Sequence, residues 1–64
     1  MELYTRLSIE RILNNDLDLS KRISKGKGDN LLKDIKTLSE RSKISEQFIE
    51  LNIEQIKRMA FSVY

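Results

Sequence analysis

Apolar residues recur along this chain at helical spacing, and the pattern is most complete in its last third. The stretch Ser42-Lys43-Ile44-Ser45-Glu46-Gln47-Phe48-Ile49-Glu50-Leu51-Asn52-Ile53-Glu54-Gln55-Ile56-Lys57 holds the densest apolar run. Ser45 is a good N-cap, because its hydroxyl can accept one of the orphan N–H groups of a first helical turn. With Ser45 as cap, Ile44 precedes it and Ile49 falls at the fourth helical position, the spacing of a hydrophobic staple. The pattern predicts one long helix from here to about residue 62. Its stripe is Ile49, Ile53, Ile56, Ala60 and Val63, and Phe48, Leu51 and Met59 widen it beyond what one neighbouring helix would cover.

Upstream, Leu3, Leu7, Ile12 and Leu13 predict a helix from Glu2 to about Asn15, with Ile9 off the stripe. Asn14-Asn15-Asp16 is a stop signal, since short polar side chains compete for the backbone. Leu17, Leu19 and Ile23 suit either a short second helix capped by Asp16 or Asp18, or an ordered loop. Gly26-Lys27-Gly28 then breaks any helix. It reads as a linker. A phosphate loop, the sharper alternative, would need a fuller glycine pattern followed by Lys-Ser/Thr. From a cap at Asp29 or Asn30, Leu31, Leu32, Ile35 and Leu38 predict a helix to Arg41 or Ser42, with Lys33, Asp34, Lys36 and Glu40 outside. The short turn Ser42-Lys43-Ile44 makes this helix and the last one an αα-hairpin.

Composition limits what such a chain can do. Its 64 residues make one domain at most, and a chain of this size is marginally stable alone. Small scaffolds without staples often lean on oligomerisation or a partner. With no cysteine there is no disulfide, and with no histidine the usual zinc ligand and general base are missing. The longest apolar run, Met59-Ala60-Phe61, is far short of the roughly 20 residues of a spanning helix. A soluble, cytoplasmic chain without membrane partners is expected. Net charge is +2, from 12 basic and 10 acidic residues. The basic surplus is local: Lys21, Arg22, Lys25 and Lys27 lie in a segment, 19–28, that has no acid.

Neither catalysis nor a cofactor is expected. Glu46, Glu50 and Glu54 form a four-residue row that fits a solvated face, and nothing tunes a carboxylate for acid–base work. A helix-turn-helix would place the helix starting at Ser45 against DNA. Glu46, Gln47 and Glu50 at that end would oppose the phosphate field. Lys57 and Arg58 would more simply complement that helix's C-terminal dipole. Nucleic-acid binding would have to come from Lys21, Arg22, Lys25 and Lys27.

Phe48-Ile49-Glu50-Leu51 followed by Ile56-Lys57-Arg58, with Asp29-x-Leu31-Leu32 upstream, resembles the small sporulation-checkpoint inhibitors called Sda over residues 29–59. The resemblance implies an antiparallel helical hairpin that binds the dimerisation and phosphotransfer region of a sensor histidine kinase and blocks its signalling. It implies a partner surface at the turn and the start of the second helix: Ile44 and Phe48 match apolar family positions, and Gln47 stands where the family has an acid. Lys36 and Thr37 occupy the family's aromatic positions in its first helix. Residues 1–28 have no counterpart.

The expectation is therefore all-α: a C-terminal antiparallel helical hairpin with an additional N-terminal helix. One small domain would comprise an N-terminal helical segment (1–25), a glycine-containing linker (26–28) and the hairpin (29–62). The favoured function is a protein-binding regulator or inhibitor that docks a helical face through Ile44, Gln47, Phe48 and Leu51 on a larger partner. The alternative is a helix-turn-helix-like nucleic-acid-binding regulator. A homo-oligomer through the Ile49–Val63 stripe is a third reading.

Overall fold

Asp16 divides the N-terminal half into two helices. Its backbone leaves helical geometry (φ −139°, ψ 89°), and its carboxylate accepts a hydrogen bond from the Leu19 N–H at 3.0 Å. The residue thus ends one helix and caps the next. In the computed structural model, which describes residues 1–63, the chain forms α1 (Leu3–Asn15), α2 (Leu17–Lys25), α3 (Gly28–Ser42), α4 (Glu46–Leu51) and α5 (Ile53–Val63). There is no strand among the described residues. The protein is all-α, as its periodicity predicts.

The hairpin is built from α3 and α4. Lys43 closes α3 in the left-handed region (φ 62°), its N–H bonded to the Ser39 carbonyl at 2.9 Å. Ser45 opens α4 by accepting from the Phe48 N–H at 3.1 Å. Lys36 of α3 shares a surface depression with Glu46, and Leu31, earlier in α3, shares another with Ile53, so the chain runs back along α3.

The expected single long helix is broken at Asn52 (φ −111°, ψ 20°). The Asn52 amide side chain donates to the Phe48 carbonyl at 2.9 Å, and its backbone N–H is shared between the Phe48 and Ile49 carbonyls. A short polar side chain that bonds back onto its own turn competes with the helix ladder. Beyond the break, α5 leaves α3 and packs on α2 and α1. A radius of gyration of 10.1 Å, against about 10.7 Å expected for a folded chain of this length, shows that the N-terminal helices close over the hairpin.

All five helices supply the core: Ile9 and Leu13, Leu19 and Ile23, Ile35 and Leu38, Ile49, and Ile56 with Ala60, none more than 2% exposed. Burying each large aliphatic chain contributes roughly 1.5–3 kcal/mol. Two sequence expectations are corrected here. In α1 the buried face is Ile9 and Leu13, i and i+4, while Leu3 and Leu7 are exposed. Asp34, expected outside, is nearly buried against Arg22. The stripe of α4 and α5 is covered within one chain: Ile49, Ile56 and Ala60 are buried, and Ile53 and Val63 pack against them. An oligomer through that stripe would have to open the core. None of the described helices is long and apolar enough to cross a membrane.

The two glycines of the α2–α3 corner serve different needs. Gly28 has φ +58°, the left-handed region that a side chain disfavours. Gly26 has an ordinary φ of −70°, but a Cβ there would lie 2.7 Å from the Arg22 carbonyl oxygen and 3.2 Å from the Leu31 side chain. The Lys57 ammonium, from the middle of α5 rather than its C-terminal turn, donates to the Gly26 carbonyl at 3.0 Å. The helix stop expected at these glycines is thus a closely packed corner between α2 and α3.

Candidate functional site

The cap at Ser45 fixes the direction of α4, and Ile49 anchors it in the core. With Ile49 pointing in, helical geometry turns the rest of the element outward in a set order. Glu46 and Glu50 fall on the side of α3, bordering Leu32, Lys33 and Lys36. Gln47 and Leu51, separated by one turn, lie opposite Ile49; both are exposed, Leu51 by 85%. Phe48 is half-buried beside them. Ile44 is half-buried and packs on the core, as a staple residue should. Its carbonyl accepts from the Ser39 hydroxyl, which holds the turn.

Of the residues proposed for a partner surface, Gln47, Phe48 and Leu51 therefore share one flank of a short, rigidly seated helix. Ile44 belongs more to the packing of the turn. Leu32, half-exposed on α3, borders Glu46 and Glu50 on the other side of α4 and does not belong to that flank.

The basic residues gather elsewhere. Arg22 and Lys25 in the last turn of α2, Lys27 in the corner, and Asn30, Lys33 and Asp34 of α3 line an open groove of about 550 Å³. Lys21 lies on α2 but does not line it. The signal for Lys33 and Asn30 was available: they stand three residues apart on one face of α3, following Lys27 by the same step. Arg22 and Asp34 pair across the groove at 3.2 Å. A second long-range pair, Arg41 to Asp16 at 2.7 Å, joins α3 to the α1–α2 junction. The hydrogen bond from Arg41, and then that from the Leu19 N–H, hold the Asp16 carboxyl below its ordinary value.

No group of acidic side chains among the described residues is arranged to hold a metal ion. The chain matches no family model, no curated protein and no solved structure.

Proposed function

We propose that this protein is a small cytoplasmic regulator that acts by docking the outward flank of α4 on a larger protein. The observation that carries the reading is Leu51, a large apolar side chain left 85% exposed on a helix whose opposite side is sealed by Ile49. Phe48 and Gln47 extend that surface, and interfaces commonly depend on a few aromatic or large apolar anchors that become desolvated on binding. The capped, anchored helix presents these groups with little freedom to lose, which favours association.

The resemblance over residues 29–59 supplies the partner: the helical dimerisation and phosphotransfer region of a sensor histidine kinase, whose signalling the docked hairpin blocks. The role is inhibitory and non-catalytic. Phe48→Ala tests it by separating two readouts. Kinase inhibition should disappear while helix content stays near wild type; a matching loss of helix content would assign Phe48 to folding instead. Reading of DNA by α4 is disfavoured, because exposed Glu46, Gln47 and Glu50 occupy the end that would meet phosphates.

A further inference from the structure

We propose that the groove between α2 and α3 binds the phosphate groups of a multiply charged ligand. Four cations and one carboxylate line it, a surplus of three charges, while the whole chain carries a net +2. All of the protein's excess positive charge is therefore concentrated in this one concavity, and the remainder is slightly acidic. Lys25, Lys27 and Lys33 are exposed and take part in no ion pair among the described residues. Neighbouring ammonium groups without counter-charge repel one another, and an anion that bridges them relieves that repulsion.

Arg22 is held differently. Its Nε donates to Asp34, whose side chain is only 12% exposed. A nearly buried carboxylate needs such a partner, and the single bond fixes the guanidinium plane at the wall of the groove. The two terminal amino groups are left without a protein acceptor. An arginine oriented in this way offers a planar fork suited to phosphate oxygens. At the start of α3 Lys27, its N-cap residue, makes no side-chain cap, and the Asp29 carboxylate in the first turn offsets part of the helix field there, so the groove's lysines and Arg22 carry the attraction. Lys57 brings a further charge to the Gly26 carbonyl from α5.

The chemistry of the lining limits the ligand. No aromatic side chain is present for a base to stack on. Recognition stops at the phosphates and is indifferent to base sequence. A nucleic-acid backbone and a free oligophosphate both offer that chemistry.

The test is an amide chemical-shift titration at low salt, with inorganic tripolyphosphate and with a short random-sequence DNA duplex as separate probes. Shifts should centre on residues 25–33. The triple variant Lys25→Ala, Lys27→Ala, Lys33→Ala should bind at least about tenfold more weakly and lower the salt dependence of duplex binding by about three. Arg22 stays in place, since removing it would strand Asp34. A control triple with equal charge loss, Arg11→Ala, Lys36→Ala, Arg58→Ala, should change affinity less than about threefold. Binding of one probe alone identifies the source of the phosphate, and displacement of duplex by tripolyphosphate shows that phosphate suffices. Absence of shifts at residues 25–33 with both probes overturns the proposal, as does equal weakening by the two triples.

Discussion

The Arg41 guanidinium donates to the Asp16 carboxylate at 2.7 Å across 25 residues of sequence, and the same carboxylate caps α2 through the Leu19 N–H. One side chain thus sets the angle between α1 and α2 and ties both to the end of α3. Both bonds favour the charged form, so the folded pKa lies below the ordinary 3.8. A depressed pKa contributes stability that is present above the unfolded value and lost as pH falls through the folded one. Asp16→Asn keeps a competent cap and removes the charge. Thermal melts should find the variant less stable than wild type at pH 7, with the gap closing below about pH 5. A gap that is constant into strong acid would show that the charge contributes nothing.

Ser20 fixes the same corner from inside. It is fully buried, and its hydroxyl donates to the Leu13 carbonyl at 2.6 Å, joining the end of α1 to α2. Ser20→Ala leaves the Leu13 carbonyl only the longer bond from the Asp16 N–H, at 3.4 Å, and should cost about 1 kcal/mol. Urea unfolding would show a lower midpoint at an unchanged slope. No change in midpoint would mean that water replaces the hydroxyl.

The two glycines should respond to alanine for opposite reasons. Gly28→Ala forces a side chain into the left-handed region and should cost about 1 kcal/mol. A chain synthesised with D-alanine at position 28 should recover that loss, because a D residue favours the positive φ found there. Gly26→Ala meets the Arg22 carbonyl instead, and should cost roughly 1–3 kcal/mol as overpacking. Failure of D-alanine at position 28 to recover the loss would contradict this division.

The sequence disclosed much of this architecture. The bounds of α1 and the end of α3 follow from apolar spacing and from the stop at residues 14–16, and Ser45 was recognisable as a cap from its residue type and its distance to Ile49. The start of α3 was not, since the helix begins at Gly28 behind Lys27 and takes in both Asp29 and Asn30, the expected caps. What escaped were features decided by tertiary packing. Ile9 and Leu13 share a face as well as Leu3 and Leu7 do; which face turns inward depends on where α2 and α5 lie. Asp34 became internal because Arg22, twelve residues away, reaches it. The break at Asn52 had a local signal, a short polar residue amid isoleucines, but the regular stripe on either side masked it. Leu51 shows the limit of counting apolar residues. Its spacing fits a helix flank equally well whether the flank is covered or bare, and it is the seating of Ile49 in the core that turns Leu51 outward.

Leu51→Asp tests the docking account most directly, because the side chain is too exposed to matter for folding. The measurement is inhibition of autophosphorylation across a panel of purified sensor histidine kinases, made alongside a thermal melt of the variant. A surface substitution of this kind changes stability by no more than about 0.5 kcal/mol. The account predicts that wild-type protein inhibits at least one kinase and that Leu51→Asp, melting at nearly the wild-type temperature, does not. Wild-type protein without effect on any of them, or a variant that inhibits as well as wild type, would contradict it.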